Sequence, residues 1–176
     1  MNKRLIFAKK QNTFPKVWNH KSVYPDYVTI GKGCMIHESV IFMAQGFAYE
    51  WDVNEYIHIN HLGIILIGSD VDIYSGTIVV RGTASDGCTI IGSGTKIDSM
   101  VFIAHNVKIG KNCLFSAGVI IGGSTEIGDN VRIGGHVCIL NKIKIGNDCQ
   151  ILAGSVLRHN LEDGEIYGHN FKTNVI

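Results

Sequence analysis

His105, third residue of the run Ile103-Ala104-His105-Asn106, is the side chain best suited to chemistry in this sequence. A neutral imidazole is available near pH 7 to accept a proton. His105 stands third in a six-residue unit, beside a turn, where a side chain points outward. Eighteen residues on is Gly123. If the coil has that length, the two backbones lie about 4.8 Å apart, one strand spacing. A glycine there leaves its N–H unobstructed and close to the imidazole. The same column continues through Asn141 to His159.

The elements that position these residues are legible in a frame of six. From Ile67 to Glu162, fifteen of sixteen first positions are Ile, Val, Leu or Phe, and only Ser85 fails. Fifth positions, from Val71 through Thr83 and Cys113 to Leu161, are nearly all small or β-branched. Such a period is the signature of a parallel β-helix: first residues stack in a narrow interior, and fifth residues fill a tighter inner corner. Glycine and asparagine between them make the turns. A period of six does not by itself set the number of faces or the handedness.

Three segments follow from the frame. Residues 1–29, with Phe14, Trp18, Tyr24 and Tyr27, are expected to cap an open end whose strands would otherwise expose unpaired groups. The β-helix is expected over 30–162, interrupted at 42–64 by a loop carrying Phe47, Tyr49, Trp51, Tyr56, His58 and His61. An aromatic excursion from a regular solenoid suits binding, although packing on its own coil is equally open. Residues 163–176 show no hexad pattern and read as a tail.

Composition narrows the function classes. A net charge of +1 gives no reason to expect nucleic acid or an acidic membrane as partner. The apolar run LIFA is too short for a signal-peptide core, and no stretch approaches a membrane span; a cytoplasmic protein is expected. The five cysteines form no CxxC pair and read as reduced thiols.

From Gly46 onward the chain resembles the acyltransfer domain of the UDP-3-O-acylglucosamine N-acyltransferases of lipid A biosynthesis. The resemblance is carried by GFAYEWDVNEYIHINHLG, by RG before an acidic turn, and by IAHN with Asp98 ahead of it and IGGST behind. It implies an all-β, left-handed, three-sided parallel β-helix, assembled as a homotrimer with active sites between subunits. It also implies that His105 is the general base of acyl transfer and that the Gly123 amide holds the oxyanion. A pantetheine arm along the solenoid axis would pass Gly123, Asn141 and His159. Phe47, Tyr49, Trp51 and His61 are candidates for sugar and base contacts. Arg81 and Asp86 flank the family-like turn as further substrate contacts. Asp98 either orients the imidazole or amine, or closes a turn.

The family's uridine-gripping N-terminal domain and C-terminal helical extension have no counterpart in this sequence, and its second functional histidine falls at Lys142. The expected activity is therefore transfer of an acyl group, acetyl foremost, from a CoA thioester to the amine of a nucleotide-linked amino sugar for surface polysaccharide or lipopolysaccharide. Alternatives are a lipid A-type enzyme fed by acyl carrier protein, a sugar O-acetyltransferase, and a non-catalytic scaffold. No metal is expected: the zinc-binding carbonic anhydrases of this fold would want histidine at Met100 or Gly110 and at Ser69.

Overall fold

The computed structural model describes residues 25–168. Phe14, Trp18 and Tyr24 of the expected cap, and the tail beyond residue 168, lie outside the described residues. The rest forms three parallel sheets of six, seven and six strands, wound as a left-handed three-sided β-helix. The first face runs from Val28–Ile30 through Ile64–Ile67 to Lys144–Ile145, and the second from Met35–Ile36 to Ile166–Tyr167. The third runs from Ile41–Met43 through Phe102–Ile103 and Ile120–Ile121 to Val156–Leu157. Lys96 pairs with Leu114, Phe102 with Ile120 and Lys108 with Glu126, so one regular coil is eighteen residues in three hexads.

The interior is built as the frame requires. All fifteen apolar first positions from Ile67 to Leu157 are buried, with Phe115 the largest side chain among them. Burying such residues contributes roughly 1.5–3 kcal/mol each, the main return for ordering short strands that would be marginal alone. Buried threonines at the fifth position are tolerated because each hydroxyl reaches a carbonyl: Thr77 to Asp98, Thr95 to Gly110, Thr125 to Leu140. All five cysteines are free thiols, with Cys113 and Cys149 in the buried corner column.

Three irregularities position the site. Val28 pairs with Ile65, thirty-seven residues on, because residues 44–63 leave the first coil. Within them Tyr49–Asp52 and Glu55–His58 pair as an antiparallel hairpin, Tyr49 opposite His58 and Trp51 opposite Tyr56. Next, Ile67 pairs with Ile91, twenty-four residues on, so the following coil carries one additional hexad. This excursion, Gly82 to Gly87, contains Ser85, the one position where the frame fails. Thr83 therefore does not fill an inner corner; its backbone N–H and hydroxyl both bond Asn106.

Finally, Ile145 bridges to Leu161 and Ile151 pairs with Tyr167, sixteen residues on. The last coil is two residues short, Leu161 takes the place of a first-position residue, and the solenoid runs on to Tyr167. No helix of the described residues is long and apolar enough to cross a membrane.

Candidate active site

His105 and Asn106 form the turn between the third and first faces. Asn106 carries a φ of 58°, and the equivalent residues one and two coils on, Ser124 and Lys142, share this left-handed conformation. Left-handed residues let the chain turn sharply while each turn bonds the next: Ser124 N–H donates to the His105 carbonyl and Lys142 N–H to that of Gly123, both at 2.9 Å. The column His105, Gly123, Asn141 thus stands as its spacing predicts.

Gly123 is required there. A Cβ added to it would lie 2.6 Å from His105 Cε1 and 2.7 Å from Nε2, closer than such atoms approach. The imidazole lies over the glycine. Gly122 and Ser124 spend their N–H groups on neighbouring coils, whereas the Gly123 N–H has no hydrogen-bond partner among the described residues. A proton acceptor and a free amide donor therefore share one turn column.

The aromatic loop folds back over its own chain's histidine. Rings follow one another edge to face from Phe47 to Tyr49 (5.1 Å) and Tyr49 to His58 (5.0 Å). His58 then stacks on His61 at 6.5 Å, and His61 meets His105 edge to face at 5.5 Å. Between hairpin and turn lies an open cleft of about 850 Å³, lined by Phe47, Ala48, Tyr49, Tyr56, Ile59, Thr83 and His105. Phe47 is 92% exposed at its mouth.

His61 does not face this cleft, as a substrate contact would. It is fully buried behind His105, with its backbone N–H on Gln45 Oε1 at 2.9 Å and its Nδ1 3.2 Å from the Ile59 carbonyl. Its Nε2 is buried without a partner. Burial lowers the pKa of His105 from the ordinary imidazole value, and the proximity of His61 lowers it further. Both effects hold the ring neutral, the form that accepts a proton.

The remaining sequence candidates separate. Trp51 packs against Tyr56 at 4.9 Å, outside the residues lining the cleft. Arg81 is engaged within the fold: its guanidinium donates to the carbonyls of Leu62 and Gly63 and lies 4.4 Å over the Tyr27 ring. Asp86 is exposed on the excursion. Asp98 sits at a different corner from His105, between the second and third faces, where its carboxylate accepts from Ser99 N–H at 2.7 Å. Asn141 is exposed one coil beyond Gly123, and His159 packs on Tyr167 at 5.1 Å where the last coil shortens.

Sequence reasoning missed Thr83 and Asn106 as parts of the site. The failure of the frame at Ser85 was the available signal for Thr83.

Residues 88–123 and 124–159 match the bacterial transferase hexapeptide (six repeats) family. A UDP-3-O-acylglucosamine N-acyltransferase of Polynucleobacter necessarius is 41% identical over 91 residues, covering 49% of this chain and 25% of that protein. Another, from Polynucleobacter asymbioticus, is 46% identical over 82 residues, covering 44% and 22%. Among solved structures, a UDP-N-acetylglucosamine acyltransferase superposes with a TM-score of 0.65 at 29% identity, covering 76% of this chain and 49% of that one. The chain carries hexapeptide repeats and is similar to acyltransferases, and it spans about a quarter of the length of the curated relatives it matches.

Proposed function

We propose that the protein moves an acyl group, acetyl foremost, from a CoA thioester to the amine of a nucleotide-linked amino sugar, in the cytoplasmic synthesis of a surface polysaccharide or lipopolysaccharide. The observation that carries this reading is the neutral imidazole of His105 lying over the unpaired N–H of Gly123 at the edge of an aromatic cleft. The amine nitrogen attacks the thioester carbonyl carbon, and His105 takes the proton that the nitrogen loses. The carbonyl oxygen gains negative charge and accepts from the Gly123 N–H. The C–S bond then breaks, and the proton passes to the departing thiolate, which leaves the ring neutral again.

Phe47 and Tyr49 stack on the base or sugar from the cleft mouth. The carrier arm follows the column towards Asn141 and His159.

The third face supports assembly into a trimer. Its outward column is apolar throughout: Ile41, Ile78, Phe102, Ile120, Cys138 and Val156. Ile41, Ile120 and Val156 are 52%, 49% and 38% exposed. The first face, by contrast, carries Lys108, Glu126 and Lys144. An uncovered apolar sheet favours a protein neighbour, and this one ends at the corner bearing His105, so a second copy seated on it borders the cleft. Ile120→Lys is expected to shift the particle from three copies towards one by light scattering. A wild-type protein that runs as a monomer at every concentration would sink the trimer.

The activity is tested by thiol release from acetyl-CoA in the presence of UDP- and dTDP-amino sugars. Turnover with one sugar identifies the acceptor. Turnover only with an acyl-loaded carrier protein corrects the donor to the one the lipid A-type alternative uses. No turnover with either donor class overturns acyl transfer.

A further inference from the structure

Asn106 is held more firmly than a turn residue needs. Its Oδ1 accepts from the Thr83 backbone N–H at 3.0 Å, its Nδ2 donates to Thr83 Oγ1 at 2.8 Å, and its own N–H donates to Thr89 Oγ1 at 3.0 Å. The Thr83 N–H can only donate, so exchanging the amide oxygen and nitrogen of Asn106 would set two donors against each other. The orientation of the amide is therefore settled by its partners. One hydrogen of Nδ2 goes to Thr83; the other points at His105 Nδ1, 3.3 Å away.

An amide N–H only donates, so the ring nitrogen facing it must be the acceptor. We infer that Asn106, anchored by Thr83, is the positioning residue of the site: it selects the tautomer of His105 that carries its proton on Nε2 and keeps Nδ1 free to receive one. This assignment puts Nε2–H on the Gly123 side, since Nε2 is the ring nitrogen nearer a Cβ placed on Gly123, 2.7 Å against 3.2 Å for Nδ1. Thr83 and His105 both line the cleft.

A protonated ring would bring Nδ1–H against Nδ2–H, two donors without an acceptor. The same contact therefore opposes the imidazolium, in the direction of burial and of His61. Around the ring the other titratable groups are His61 behind it and Tyr49 and Tyr56 across the cleft. Arg81 is turned to Leu62, Gly63 and Tyr27, and Asp86 is exposed. Among the described residues, the turns one coil to either side bring Gly87, Gly123 and Ser124, none of which titrates.

The inference uses the proposed role of His105 only for its catalytic consequence; the tautomer is a property of the protein alone. Imidazole 15N spectra of the wild type at neutral pH are expected to show His105 protonated at Nε2 and bare at Nδ1. In Asn106→Asp a carboxylate faces Nδ1, so the proton is expected to move to Nδ1 and the pKa of His105 to rise. Asn106→Ala is expected to leave both tautomers populated and, with the donor that opposes the imidazolium gone, to raise the pKa of His105 and move the acid limb of kcat/KM to higher pH. A wild-type spectrum with the proton on Nδ1 overturns the assignment without any variant, as does an Asn106→Asp protein whose tautomer and pKa match the wild type. Absence of acyl transfer with every donor would defeat the functional reading, while the spectra would still decide this one.

Discussion

His105→Ala is expected to lower kcat/KM for acyl transfer by about 10²–10⁴-fold, the range that a positioned general base supplies, with little change in melting temperature. The two outcomes separate because the residue's structural work is done by its backbone. Ser124 N–H bonds the His105 carbonyl, and that bond survives loss of the side chain. The imidazole itself is only partly buried, at a turn outside the stacked interior.

The pH dependence carries the same signature. Burial first, and His61 second, lower the His105 pKa below the ordinary imidazole value. The acid limb of wild-type kcat/KM is therefore expected below that value, and it should vanish in the residual activity of His105→Ala. The sign for stability follows from the same direction. The charged ring is disfavoured in the folded state, so its share of stability is complete above the unfolded pKa and is lost as pH falls towards the folded one. His105→Ala should thus flatten the fall in stability on the acid side. A variant that keeps wild-type kcat/KM would remove His105 from the mechanism.

The interior of this protein is legible in its sequence because each coil repeats the same two demands, a large apolar residue at one position and a small one four places on. What escapes is whatever preserves the period or imitates it. The excursion from Gly82 to Gly87 is six residues long, so the frame resumes beyond it in phase, and Thr83 passes for a corner residue. Leu161 matched the fifth position and fills a first one, because a coil shortened by two residues moves it there. The hairpin over His105 is hidden for another reason. Its tight turn places Val53 at a φ of 49°, where glycine or asparagine would have announced a reversal. The aromatic residues of that loop were visible, but their return to the same chain's histidine depends on the buried packing of His61 against His105. Arg81, a charged residue beside a recognisable turn, was visible as well; that its guanidinium ties the loop to the coil through the carbonyls of Leu62 and Gly63 was not.

Gly123→Ala is expected to lower kcat by about 10²–10⁴-fold, the range lost when a general base is displaced, while the fold persists. The added methyl would meet Cε1 and Nε2 of His105 at 2.6 and 2.7 Å, and both belong to a side chain that can rotate away. The cost is therefore borne by the geometry of the site, since a displaced imidazole no longer shares its column with the free amide. Gly122→Ala is the control. Its methyl would lie 2.6 Å from the backbone nitrogen of Asn141 and 2.7 Å from the carbonyl carbon of Leu140, neither of which can move without parting two coils. That variant should lose melting temperature first and activity only as a consequence. In the double variant His105→Ala, Gly123→Ala the clash has no second partner, so the glycine substitution should cost almost nothing further. Effects of residues that act as a unit do not add. If Gly123→Ala still lowers the residual rate when His105 is already absent, the methyl obstructs the site beyond its clash with the imidazole. If it does not, the clash is the whole of its effect; alanine keeps the amide N–H, so the oxyanion donor survives in either case.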